Sequence, residues 1–450
     1  MKANTNLKVR LAVMNFLEFA VWGAYLTSLG NFLARNGLQS EIGWFYAVQG
    51  IVSLFMPSLI GILADRWVPA QKMLSICHVM AGGFMALAAL YCMLAPSLAF
   101  APLFILYTVS VAFFMPTIGL ANSVAFNALT KAGMDTVKDF PPIRVFGTIG
   151  FICAMLFVNF VGPEDAKFQT SYMQLFVSAA FSAILAVYAL SMPKCPISKS
   201  GPSGNWVDTL GLRSFTLFKQ RKMAVFFIFS MLLGVSLQIT NGYANPYITS
   251  FSEIPQFADA WAAKNANALI SLSQMSETLC ILLIPFCLKR FGIKGVMLMS
   301  LFAWVLRFGL FGAGNPADGV WMLILSCIVY GIAFDFFNVC GGLYVDSVTS
   351  PEIRSSAQGL FMICTNGLGA TIGTLSAMTI VNSLVDPSAS PEMQLEGWRS
   401  AWYIFAAYAL LVAILFLCLF KDDSKKQVSK EQIIRDESMN AGGMVMEEDI

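Results

Sequence analysis

The chain has 450 residues, 57% of them hydrophobic and 12% charged, with a net charge of +2 and a mean hydropathy of +0.69. Soluble domains carry about 45–50% apolar and about 25% charged residues, so a water-soluble globule of this composition would expose an aggregation-prone surface. Bulk disorder is excluded, as is nucleic-acid binding, which needs a strongly basic domain; the composition is that of a polytopic membrane protein.

A membrane-crossing helix takes about 20 apolar residues. Twelve stretches qualify: 9–33, 41–64, 73–95, 99–125, 141–162, 171–192, 223–248, 264–288, 293–313, 319–345, 353–382 and 399–420. Their unbroken length excludes a transmembrane β-barrel, and the fold class expected is an all-α membrane protein. The basic start Met1–Arg10 precedes an apolar run too long for a signal peptide, with no small-residue cleavage site. It reads as a retained first helix. That helix carries Glu18, either a cavity-wall residue or a partner for Arg144.

Between spans 2 and 3 the chain reads Gly61-Ile-Leu-Ala-Asp65-Arg66, ending at Lys72. The segment resembles the G-x-L-a-D-r motif of the major facilitator superfamily, whose Asp and Arg form a conformational latch. The second half of the motif lacks its usual glycine, and the alternative is a basic turn after a helix. His78, the single histidine, follows in span 3 and reads as a helix-interface residue rather than a proton relay. One histidine and no H-E-x-x-H leave no basis for a metal centre or a metalloenzyme. An enzyme is not expected.

Span 5 opens Asp139-Phe-Pro-Pro-Ile-Arg144, with the prolines suited to a helix start. Arg144, Thr148 and Phe151 fall at i, i+4 and i+7, on one face. They form either a ligand surface or an interfacial Arg snorkelling to water. A polar, basic linker over 193–222 then separates six spans from six, dividing the chain into bundles 1–192 and 223–420. That is the architecture of the major facilitator fold.

Span 7 carries Gln238 and Asn241, and span 8 carries Gln274 and Glu277, each pair at i, i+3. Amides on one face also serve as interhelical glue, but glue needs no mid-span carboxylate. Arg307 in span 9 reads as structural, pairing with a carboxylate or a carbonyl. In span 10, Tyr330, Phe334 and Asn338 share a face, and Asp335 is turned about 100° from Phe334. An ionisable group within a span is a site candidate by default. The tail 421–450 is charged and reads as solvated and disordered.

Lys and Arg set orientation. With the N-terminus inside, the cytoplasmic segments before the tail hold 17 of them and the outer loops hold Arg35, Lys167, Lys264 and Arg399. Both termini are therefore expected in the cytoplasm. Ten cysteines without a C-x-x-C pair, nearly all in apolar runs, read as small buried hydrophobes.

Several of these segments together resemble the nucleoside:proton symporter family of the major facilitator superfamily. They are Phe140-Pro-Pro-Ile-Arg144-Val-Phe-Gly-Thr148-Ile-Gly-Phe151, Leu237-Gln238-Ile-Thr-Asn241, Ser273-Gln274-Met-Ser-Glu277-Thr278, Tyr330-Gly-Ile-Ala-Phe334-Asp335-Phe-Phe-Asn338 and Ser356-Ala-Gln-Gly359. The likeness runs from about residue 7 to about 420. It implies a bacterial inner-membrane carrier, working as a monomer without a cofactor. It implies nucleoside binding at Arg144, Thr148, Phe151, Gln238, Asn241, Gln274, Glu277, Tyr330 and Phe334, and proton coupling through Glu277 and Asp335. Where the family carries Gln in helix 1, this chain has Glu18, an added protonatable group with a candidate part in coupling.

A nucleoside suits these residue types: aromatic rings stack on the base, and amides, Thr and Arg meet hydroxyls and base edges. An uncharged ligand needs no basic cluster, whereas a phosphate would. The function expected is proton-coupled nucleoside import by alternating access, with sodium as the other possible coupling ion. The competing reading is a cation-coupled carrier for a sugar or another small polar solute.

Overall fold

The computed structural model describes residues 2–163, 166–197, 212–349 and 354–420. Helices account for nearly all of it. They are α1 (Lys2–Gly23), α2 (Leu29–Arg35), α3 (Ile42–Ser53), α4 (Met56–Arg66), α5 (Ala70–Leu94), α6 (Phe100–Lys131), α7 (Thr136–Phe160) and α8 (Met173–Leu190). After the linker come α9 (Arg221–Ser250), α10 (Trp261–Lys264), α11 (Ala266–Cys280), α12 (Ile284–Ala313), α13 (Val320–Val348), α14 (Arg354–Met362), α15 (Ala370–Leu384) and α16 (Pro391–Leu419). A π-helical stretch, Ile363–Gly369, joins α14 to α15.

Among the described residues nine helical segments are long and apolar enough to cross a membrane, ten if the bent pair α3–α4 is one span. The expected twelve differs from this at two places. Stretch 9–33 is interrupted at residues 24–28, between α1 and α2. Stretches 264–288 and 293–313 fall in one 48-residue run, Ala266–Ala313, more than twice the length that about 20 residues need to span a bilayer. Within that run Gly292 has φ +69° and ψ 175°, a backbone state open to glycine that breaks the helix.

Helix boundaries differ modestly from expectation. α7 starts at Thr136, so Pro141 and Pro142 lie in its second turn rather than at its start. The first turn is tied down by an ion pair of 2.7 Å between Lys8 and Asp139. The linker contributes a short 3₁₀ segment, Leu212–Lys219, whose Phe218 packs on Phe227 of α9. Residues 198–211 of the linker and the tail 421–450 lie outside the described residues. So does the side chain of Asp65, so the proposed latch is represented only by its place at the end of α4 and by the exposed Arg66.

The outer surface is apolar. Leu94, Val187 and Leu282 are 69%, 73% and 74% exposed. In a bilayer such residues face lipid, and polar groups are expected inside the bundle. Glu18, His78 and Arg307 are indeed buried. Eight cysteines are buried, but Cys153 and Cys418 are exposed. The uniform buried reading fails for these two because lipid, like a protein core, accepts a small apolar thiol.

α1 packs on α7 and α8, and α5 on α6 and α8; later in the chain α12 packs on α13 and α16, and α11 on α13. The two groups meet where α7 contacts α11, α3 contacts α15, and α2 contacts α9. Small residues permit the closest approaches: a Cβ at Gly150 would meet Phe16 O, and one at Gly23 would meet Phe151 O. Hence α1 and α7 run backbone to backbone, which fixes the face that α7 turns inward.

Candidate functional site

Arg144 and Thr148 are half-buried on α7, and Phe151, on the same face, is buried. The Arg144 guanidinium lies 3.9 Å from the centroid of the Phe19 ring on α1, a cation–π contact that holds it inside the bundle rather than at the interface. Phe151 meets Trp22 edge-on, with ring centroids 6.3 Å apart. The Trp22 indole donates to Gln49 Oε1 at 3.3 Å, and Gln49 Nε2 donates to the Tyr107 hydroxyl at 2.9 Å.

The second group supplies the facing wall. Gln238 and Asn241 are half-buried on α9, with Asn241 Nδ2 donating to Gln238 Oε1 at 2.5 Å. Gln274 and Glu277 are half-buried on α11, the helix that packs on α7. The charges of Arg144 and Glu277 interact across that contact. On α13, Tyr330 stacks on Phe334, with centroids 5.5 Å apart and planes 20° from parallel. Asn338 donates to Phe334 O at 3.0 Å.

Asp335 is turned away from that stack and buried at 5% exposure. Its Oδ2 has no hydrogen-bond partner among the described residues, and its charge interacts with that of Glu277. α11 and α13 come together closely, because Gly331 leaves room for Ser276 O and the Ser276 hydroxyl donates to Ile328 O.

Glu18 sits differently from either sequence alternative. It does not contact Arg144 directly; its carboxylate pairs with His78 Nε2 at 2.9 Å and accepts from Thr117 Oγ1 at 2.5 Å. Arg144 is engaged by the neighbouring Phe19 instead. His78 does lie at a helix interface, linking α1, α5 and α8.

Some participants escaped the sequence reading. Phe19, Trp22, Gln49 and Tyr107 build the α1 side of the wall. Arg307 pairs with a carbonyl as its structural reading expects, and only its place behind a ring of α13 is new. It donates to Ser326 O at 2.8 Å and stacks 4.4 Å from the Tyr330 centroid, behind the aromatic pair. An Arg mid-span was the available signal.

A second polar set joins the two groups at one end. Thr27 donates to Asn267 at 2.9 Å, Asn31 to Thr249 at 3.2 Å, and Asn159 to Asn265 at 3.0 Å. Asn159 Oδ1 also accepts from Ala268 N at 3.2 Å, and Gln169 donates to Lys264 O at 3.2 Å. Asn159 and Asn267 have no exposed surface. Isolated amides within apolar runs were the clue in the sequence.

Comparison with known proteins places the chain as a whole. A family profile described as nucleoside H+ symporter matches residues 5–425. The chain is 43% identical over 419 residues to the nucleoside permease NupG of Escherichia coli strain K12, covering 92% of this chain and 96% of the permease. It is 42% identical over 433 residues to the xanthosine permease of the same organism, covering 95% and 99%. A crystal structure of a variant of nucleoside transporter NupG superposes with a TM-score of 0.85 at 42% identity, covering 92% of this chain and all of that one. The fold is therefore that of the major facilitator transporters, and the chain belongs to the nucleoside H+ symporter family.

Proposed function

We propose that the protein imports nucleosides across the bacterial cytoplasmic membrane together with protons, as a monomer without a cofactor and with both termini in the cytoplasm. The observation that carries this reading is the wall formed at the meeting of α7 and α11. Arg144, Thr148 and Phe151 come from one side of it, and Gln274 and Glu277 from the other. Gln238, Asn241 and the Tyr330–Phe334 stack complete the set.

Each residue has a chemical task. Phe151 and Phe334 present ring faces or edges to a base, and stacking contributes about 1–3 kcal/mol per base in nucleic-acid sites. Gln238, Asn241, Gln274 and Thr148 offer donors and acceptors to base edges and ribose hydroxyls, and Asn338 adds a terminal amide on the Phe334 face. Arg144 is an obligate cation that donates to a carbonyl or hydroxyl oxygen.

Coupling follows from the two carboxylates. Glu277 and Asp335 interact with each other, and two anions held together at membrane depth are costly, so one proton relieves their repulsion. The protonated, loaded carrier can then rock between its two open states around a fixed site.

The Lys and Arg asymmetry puts the Asn159–Asn265 end outside. The hydrogen bonds there describe a carrier closed to the exterior. The test is uptake of radiolabelled uridine and adenosine into cells or proteoliposomes, with and without a protonophore and with and without sodium. Accumulation that collapses with the protonophore and ignores sodium supports the reading. Uptake inhibited by sugars but not by nucleosides refutes it.

A further inference from the structure

The coupling scheme above leaves one buried ionisable pair unused. Glu18 and His78 both have 0% exposure. Their partners limit where the hydrogens can be. His78 Nδ1 lies 2.9 Å from Ser182 Oγ, and the Ser182 hydroxyl donates to the His78 carbonyl at 3.0 Å. A hydroxyl has one hydrogen to give. Ser182 gives it either to the carbonyl, with Nδ1 protonated and donating to Oγ, or to Nδ1, with that nitrogen bare.

Nε2 then faces Glu18 Oε2 at 2.9 Å. One proton lies on the Oε2–Nε2 line in either case. With Nδ1 bare, the neutral ring donates from Nε2 to an ionised Glu18, and the pair carries −1. With Nδ1 protonated, the pair holds one proton more, as a carboxylic acid donating to Nε2 or as an imidazolium donating to the carboxylate, and is neutral. Burial favours the neutral pair, and the two states differ by one proton and a turn of the Ser182 hydroxyl.

The surroundings contain one strong charge. From α7, Arg144 stacks on Phe19, the residue next to Glu18, and its charge acts on Glu18. From α5 the other titratable neighbour is Cys77. α6 contributes Thr117 and Phe114, and α8 contributes Ser182. When the extra proton leaves, Arg144 gains a carboxylate on its own side of the interface to compete with Glu277.

We infer that Glu18 and His78 form a second proton-holding site, located in the first half of the carrier and separate from Glu277 and Asp335. Its proton enters and leaves in step with nucleoside binding, through the position of Arg144. The linkage to nucleoside rests on the proposed function; the proton site itself does not.

Because His78 is the single histidine, ¹⁵N-histidine labelling of tag-free protein gives an NMR signature of this ring alone. In the wild type the ring signals are expected to change with pH in one step and to move when uridine is added. In Glu18→Gln the side-chain amide donates to Nε2, holds the ring neutral and removes the titration. His78→Gln supplies the second variant: the pH profile of uridine uptake should change shape in both, and the double variant should match the singles because one proton site is lost only once. A structural pin alone would lower thermal stability and leave the uptake profile unchanged.

Ring signals constant with pH, or titrating identically in Glu18→Gln, overturn the proton site. A titrating ring that ignores uridine, in protein that transports uridine, overturns the linkage. A titrating ring in protein that transports no nucleoside refutes the proposed function and leaves the proton site standing.

Discussion

Asn159→Ala should open the outer end of the carrier. Asn159 is fully buried and makes two hydrogen bonds to α11 and the turn before it, to Asn265 Oδ1 at 3.0 Å and from Ala268 N at 3.2 Å. Each is worth about 0.5–1.5 kcal/mol net. Both exist only while the halves meet at this end, so their loss disfavours the outward-closed state by about 1–3 kcal/mol, a population shift of about 5–150-fold. Asn241 is a suitable reporter, half-buried on α9 among the residues proposed to face the nucleoside. An Asn241→Cys variant with Cys153 and Cys418 replaced by Ser leaves only buried native thiols. The rate at which a membrane-impermeant thiol reagent labels position 241 from outside should rise by that factor when Asn159→Ala is added. An unchanged rate, in protein that remains folded, would refute the assignment of these bonds to an outer gate.

The transport site gives three further expectations. Glu277→Gln should abolish proton-driven accumulation of uridine or adenosine while leaving nucleoside exchange across the membrane; full active uptake by the variant would overturn the coupling role. Phe334→Ala removes the half-buried partner of the Tyr330 stack and should weaken nucleoside binding by about 1–3 kcal/mol, read by calorimetric titration. Arg307→Leu removes a charged hydrogen bond to Ser326 O and the cation behind Tyr330. It should lower stability by about 1.5–3 kcal/mol in thermal unfolding and raise KM for nucleoside uptake, because Tyr330 loses its support.

Much of the site was legible because membrane depth penalises polar groups. A Glu, an Arg or an Asp inside an apolar run stands out without any structure, which is how Arg144, Glu277 and Asp335 were found. Helical periodicity placed Tyr330, Phe334 and Asn338 on one face, and in the structure Tyr330 and Phe334 stack directly. Periodicity cannot say which aromatic residues of another helix meet that face. Phe19 and Trp22 look like any other apolar residue of span 1, and their roles come from the approach of α1 to α7. Arg307 was visible as a charge, but not as the support of a ring on α13.

The sequence by itself determined that this is a helical membrane carrier and which charges are placed at a cost. Those properties depend on local composition and on transfer from water to lipid, and these are additive along a chain. Only the tertiary structure decided partnership. It gave Glu18 to His78 instead of Arg144, broke the 48-residue run at Gly292, and gathered scattered Asn and Gln residues into a seam closing one end. Hydrogen bonds need atoms within about 3 Å, and residues 60 or 106 positions apart are brought that close only by how helices cross.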